Sequence, residues 1–383
     1  MLPATFWETQ TLNNRPALFI VCLLALLSFL TAQQLLTKPF VDMSTGDRVN
    51  GLHHVVLATA GRSGSSFGES RSNQPTASNL FMITAQDVGS SRFATIVPVE
   101  ASLVKIAGEM GFTEGPVWIP EESKLVFSDI PSGKLMVWSE AEGLKVLRES
   151  PNPNGNLLDL DGRLLTCRHG GRDIVRTERD GKLTVLSNRF EGRLFNSPND
   201  VAVKSDGTLW FSDPPWGLPN SSEGKEQPGN YVFRLDPKTG EVSALLKNLC
   251  MPNGIAFSPD ETRVYIADTG GNWHPDESLR DRPATIAAYR VKSDGTLDKK
   301  PDWEIEAFCD GMAVDAAGHL YTTARAGIAV LSPKGELIGT IKVPEAPSNC
   351  CFGGSDFKTL FITARSSLYA IELKNRGSKP PVK

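Results

Sequence analysis

Six side chains able to offer oxygen recur in one phase along the chain: Glu114, Asn154, Asn199, Asn253, Asp310 and Asn349, spaced by about 40, 45, 54, 57 and 39 residues. Carboxylates mixed with amide carbonyls, with no His or Cys among them, form a hard-oxygen set that suits Ca²⁺ or Mg²⁺, and less selectively Mn²⁺, over a softer metal. Two negative charges would neutralise a divalent ion, amide oxygens would fill further positions, and water or substrate would take the rest. The competing reading is that Asn or Asp beside Gly makes turns, because both tolerate the left-handed conformation and bond their own backbone. Asp161-Gly162, Asp180-Gly181, Asp206-Gly207 and Asp294-Gly295 fall between strands and are read as hairpin turns. The six phased positions fall elsewhere, at the starts of strands.

Other side chains are candidates to contact a ligand. His169, in CRHGGR, could bind substrate or shuttle a proton, against the ordinary structural role of a lone histidine. Arg168 and Arg172 could pair with a carboxylate or phosphate, or lie solvated on the surface. Asp213 and Trp216 belong to SDPPWG, where two prolines stiffen a loop at a strand end. Asp213 is a candidate for a second cation site or a pocket wall, Trp216 for stacking on a ring of the ligand, and Asp268 for a rim contact. Trp118 and Trp210 alternate within strands and are read as blade packing.

The elements that must position these groups follow from the repeat itself. Each copy has an alternating apolar strand, a turn and a second strand: EGPVWIPEESKLVFSD, NGNLLDLDGRLLTC, NDVAVKSDGTLWFSD, NGIAFSPDETRVYIAD, DGMAVDAAGHLYTTA and NCCFGGSDFKTLFITA. Two more strands follow in most copies, and periods near 40–55 residues with hairpin turns mark propeller blades. The sequence therefore predicts an all-β fold, a six-bladed β-propeller over residues 97–375. The sixth copy ends one strand short, and residues 102–107, SLVKIA, are placed to complete it and close the ring without an exposed edge. In that fold the phased positions face one axis. An insertion, TGGNWHPDESLRDRP, precedes the third strand of the fourth blade and is read as a channel lid or a surface loop.

The rest of the chain is bounded by composition. Residues 16–32 form an uncharged apolar run, so 1–41 is read as a signal peptide or membrane anchor, an apolar helix meeting a membrane or translocon, and the protein as exported, periplasmic or extracellular. Residues 42–96, rich in Ser, Gly, Asn and Thr, are read as a flexible tether and 376–383 as a tail. Lys and Arg total 40 against 44 Asp and Glu, giving a net charge of −4 with no basic face, which excludes nucleic acid as a partner. An apolar share of 40% excludes wholesale disorder. Of six cysteines one lies in the apolar run, and the other five form no CxxC or Cys/His cluster, so most are read as small buried side chains. The oligomeric state is left open.

The pieces TEGPVW, NSPNDVAVKSDGTLWFSDPPWG, MPNGIAFSPDETRVYIAD, CDGMAVDAAGHLY and NGNLLDLDGRLLTCRHGGR resemble the SMP-30/gluconolactonase/luciferin-regenerating-enzyme-like family over residues 112–373. The resemblance implies a six-bladed propeller holding one divalent cation in its channel, Ca²⁺ first, with Zn²⁺, Mg²⁺ or Mn²⁺ as other occupants, and hydrolysis of a small sugar lactone. Carried over by motif, Glu114, Asn199, Asn253 and Asp310 match the metal-binding set, and Asp310 the catalytic acid, as general base or nucleophile. Asn154 and Asn349 stay lining or turn residues, with Asn154, Arg168, His169, Asp213 and Trp216 as the substrate-binding candidates. The chain departs from familiar members at Arg168, where an acid is common, and at Ser197, where animal lactonases carry Arg. Hydrolysis of another ester, such as an organophosphate, and a non-enzymatic binding role are the alternatives, since a fold alone does not establish chemistry.

Overall fold

Alternation in each copy becomes a four-stranded antiparallel sheet paired in chain order. In the first blade, Thr113–Ile119, Lys124–Asp129, Lys134–Ser139 and Gly143–Glu149 run from innermost to outermost. The computed structural model describes residues 80–82, 91–272 and 274–379, all within one unit spanning 70–383. Burial grades outward: TEGPVWI and KLVFSD are almost wholly buried, whereas GLKVLRE is mostly exposed. Inner strands are covered on both faces by neighbouring blades, and outer strands meet water.

The six blades close into a ring, each inner strand touching the next and the sixth, Pro347–Gly353, touching the first. The core is a set of wedges between blades. Leu165, Cys167, Phe211 and Phe233 join the second blade to the third, and Trp210, Val232, Ile255 and Ile266 join the third to the fourth. Truncating a ring such as Phe211 to Ala removes about 3–5 kcal/mol. Closure follows the expected route: Ser102–Ala107 pairs with Ser367–Glu372 as the fourth strand of the last blade, tying the two ends of the domain into one sheet.

Two expected boundaries are corrected. The stretch 42–96 is not tether at its end, because Leu80–Met82 adds a fifth strand to the last blade and Phe93 and Ile96 are buried among Leu103, Phe127 and Tyr369. Apolar side chains that can reach the outer core dock there. The tail beginning at 376 is anchored at its start: Ser378 N donates to Val314 O, and Gly377 bridges Asp315. The apolar run 16–32 and the rest of the stretch expected as tether, residues 42–79 and 83–90, lie outside the described residues. Among the described residues no helix is long and apolar enough to cross a membrane. The five cysteines there are unpaired thiols, four of them buried and Cys351 half-buried.

Candidate active site

The inner strands converge at their starts because glycine lets them. Gly155 N donates to Asn199 O at 2.8 Å, and a Cβ at Gly155 would stand 2.5 Å from that oxygen. Gly254 N likewise donates to Asp310 O at 2.8 Å, with the same 2.5 Å clash awaiting a side chain. The Asn-Gly pairs are therefore not turns: Asn154 and Asn253 lie inside Pro153–Leu158 and Pro252–Phe257. The glycine is needed for blade-to-blade approach, and that approach sets the preceding side chains around one axis.

Glu114, Asn154, Asn199, Asn253 and Asp310 line one cavity of about 440 Å³, with His169 and Trp216 also in its wall. Asn253 Nδ2 donates to Asp310 Oδ1 at 2.7 Å, and Thr323 Oγ1 receives Asp310 N at 2.7 Å. Glu114 Oε2 accepts from Gly115 N at 2.6 Å and from Asn349 Nδ2 at 3.0 Å. Among the described residues these bonds leave Glu114 Oε1 and Asp310 Oδ2 unused. Asn349 spends both ends of its amide, Oδ1 accepting from Cys350 N, so it holds Glu114 and faces a second cavity of about 180 Å³ further along the same strands.

Electrostatically the cavity floor is unbalanced. Burial, and next the facing Asp310, raise the Glu114 carboxyl well above the usual carboxylate range. Asp310 is raised by burial and by Asp200. Burial also pushes Asp200 up to about 6, although its carboxylate accepts from Val201 N at 2.9 Å and Ile255 N at 3.3 Å. Among the described residues none of the three has an ion pair with Lys, Arg or His. Three buried carboxylates with no ion-pair partner, beside a buried Asn154 Oδ1 with no hydrogen-bond partner, both among the described residues, fit a divalent cation. Glu114, Asn199, Asn253 and Asp310 would hold it. Burial holds the His169 imidazole down to about 4.

Three candidates are displaced from this site. Arg168 makes a two-pronged pair with Asp173, Nε to Oδ1 at 2.7 Å and Nη2 to Oδ2 at 2.5 Å, and does not line the cavity. Asp213 is fully buried and accepts from two successive backbone N–H groups, Asn196 at 2.8 Å and Ser197 at 2.8 Å, so its oxygens are spent on the loop before the third inner strand. Asp268 clamps Cys250 N and Met251 N in the same way and is no rim contact. Of the described residues in the fourth-blade insertion only Thr269 lines the cavity, which argues against a lid; Trp273 is outside the described residues. Sequence reasoning passed over the exposed Arg365 at the cavity wall, and Asp200, which lines the second cavity. Asp200 follows Asn199 in SPND, and strand alternation alone would have sent it to the opposite side.

The family model described as SMP-30/gluconolactonase/LRE-like region matches residues 112–366. A gluconolactonase of Zymomonas mobilis is 32% identical over 317 residues, covering 75% of this chain and 86% of its own. A solved putative gluconolactonase is 33% identical with a TM-score of 0.68, over 78% of this chain and 99% of that one. A gluconolactonase structure from Xanthomonas campestris is 30% identical with a TM-score of 0.66, over 77% and 95%. With its six blades and matched residues, the chain belongs to the SMP-30/gluconolactonase/LRE-like family.

Proposed function

We propose that this protein hydrolyses a sugar lactone in the 440 Å³ cavity, with one divalent cation, Ca²⁺ first, held by Glu114, Asn199, Asn253 and Asp310. The observation that carries the reading is the convergence of these four oxygen donors from four blades on one cavity whose buried acids have no ion-pair partner among the described residues. Similarity to lactone-hydrolysing relatives supports the reaction class. Bound there, the cation would polarise the lactone carbonyl and lower the pKa of a nearby water.

The chain's own residues divide the remaining work. Asp310 is the general base: its Oδ1 is steadied by Asn253 Nδ2, which leaves Oδ2 to take the proton of the attacking water. Glu114 is fixed by Gly115 N and Asn349, so it supplies charge without changing rotamer. Trp216 offers an aromatic face to the ring of the substrate, and the apolar walls Phe112, Ile130 and Phe308 exclude water around it.

The test is a lactone panel run on chelator-treated protein and again after Ca²⁺, Zn²⁺, Mg²⁺ or Mn²⁺ is restored. Turnover that disappears on chelation and returns with a cation is the expected result. Full turnover without any cation, or none on any lactone with cation bound, overturns the reading.

A further inference from the structure

Asn154 begins the inner strand of the second blade, and its backbone is pinned from two sides. Its carbonyl accepts from Ser128 Oγ at 2.6 Å and from Asn156 Nδ2 at 2.9 Å, while the next residue, Gly155, bonds the third blade. The residue is only 3% exposed, and it lies in the wall shared by Glu114, Asn199, Asn253 and Asp310. Nδ2 is 3.0 Å from His169 Nε2, and Oδ1 has no hydrogen-bond partner among the described residues. Buried amide oxygens are ordinarily satisfied, so one left open on a cavity wall marks the place of a ligand.

We infer that Asn154 Oδ1 is a fifth oxygen ligand of the cation, and that His169 is the positioning residue that turns this oxygen toward it. The inference rests on the cation reading given above. An asparagine amide has two ends of nearly equal shape, and rotating it by half a turn would aim an NH₂ group at the ion. His169 prevents this by accepting the Nδ2 hydrogen at Nε2, which requires its own ring proton on Nδ1. The ring is itself wedged: a Cβ at Gly217 would stand 2.4 Å from His169 Cβ and 2.7 Å from its Cγ. Gly217 N donates to Ser197 Oγ at 2.9 Å, and Ser197 N is one of the two donors gripped by Asp213. The third-blade loop thus braces the histidine that orients the second-blade amide. Five protein oxygens bring the site closer to the six to eight that Ca²⁺ takes.

Calorimetric titration of the chelator-treated full chain with CaCl₂ tests this, with far-UV circular dichroism confirming the fold of each variant. Asn154→Ala should weaken Ca²⁺ binding about 10-fold or more, and His169→Ala should weaken it by about 10-fold, the low end of the range for residues that orient ligands. In the Asn154→Ala background His169→Ala should change nothing further. Asn154→Asp, whose carboxylate presents oxygen at either end, should bind Ca²⁺ at least as tightly as the wild type and be insensitive to His169→Ala. Wild-type affinity in Asn154→Ala, or a His169→Ala effect that persists without Asn154, overturns this inference alone. A wild-type chain that takes up no Ca²⁺ or other divalent cation overturns it together with the reading it rests on.

Discussion

Asp200→Asn should stabilise the chelator-treated protein at pH 7.5 and leave it nearly unchanged at pH 4.5. A carboxyl raised to about 6 in the fold, against an ordinary value near 3.9, binds its proton more tightly in the native than in the unfolded chain. Its penalty is therefore absent below about pH 4, grows as pH rises, and is complete above about pH 6. Two decades at about 1.4 kcal/mol each give about 3 kcal/mol. Asparagine keeps the bond from Val201 N through its oxygen but loses the longer one from Ile255 N, which trims the gain to about 2 kcal/mol. At roughly 2–4 °C per kcal/mol for a domain of this size, Tm should rise by roughly 4–8 °C. Urea unfolding or a thermal scan in chelator at the two pH values measures it. Saturating Ca²⁺ should shrink the difference, since a nearby cation compensates the same buried charge, and its binding adds about 4 kcal/mol at 1,000 times Kd. A chelated wild type whose Tm is flat or climbs from pH 5 to 7.5, with Asp200→Asn no better, would refute the picture of an uncompensated acid cluster.

Asp310→Asn should lower kcat/KM for the best lactone by roughly two to four orders of magnitude with the fold kept, and unchanged turnover would remove Asp310 from the role of base. Gly254→Ala should cost about 1–3 kcal/mol in urea unfolding, because its Cβ meets Asp310 O at 2.5 Å and Gly311 Cα at 3.0 Å, both backbone atoms that cannot step aside. A neutral Gly254→Ala would mean that the blades do not need that close approach. Asp213→Asn should leave Ca²⁺ uptake unchanged, since both carboxylate oxygens face the backbone N–H groups of Asn196 and Ser197 and Asp213 does not line the cavity. If Asp213→Asn instead abolished Ca²⁺ uptake at unchanged Tm, Asp213 would be a cation ligand and not a clamp.

The fold was legible because a propeller writes its register into the sequence at every blade. One phase of polar residue, glycine and alternating strand, repeated at about 40–57 residues, fixes blade number and leaves the short sixth copy needing an upstream strand. The cavity-lining donors were legible for the same reason: the start of an innermost strand can face only the axis. Boundaries were harder to read, because Phe93 and Ile96 come at the end of a Ser-, Gly-, Asn- and Thr-rich stretch and declare themselves only by filling the outer core.

Asp213 and Arg168 show why the rest of the site was not legible, and what would have made it so. Asp129, Asp213 and Asp268 each end the second strand of a blade, and each grips the two backbone N–H groups that lead into that blade's inner strand. Recurrence in phase therefore marks scaffold as readily as site; the strand on which the phase falls separates the two. At the inner-strand start a side chain faces the axis, whereas at the second-strand end it faces its own blade's incoming loop. Arg168 occupies the second position in the second blade, where an acid would have clamped the loop. It turns to Asp173, and the loop is carried by backbone bonds, His169 N to Asn152 O and Gly170 N to Pro151 O. The departure at 168 thus changes how the second blade is tied and leaves the cavity wall to His169, one residue on, whose ring reaches the axis through Asn154.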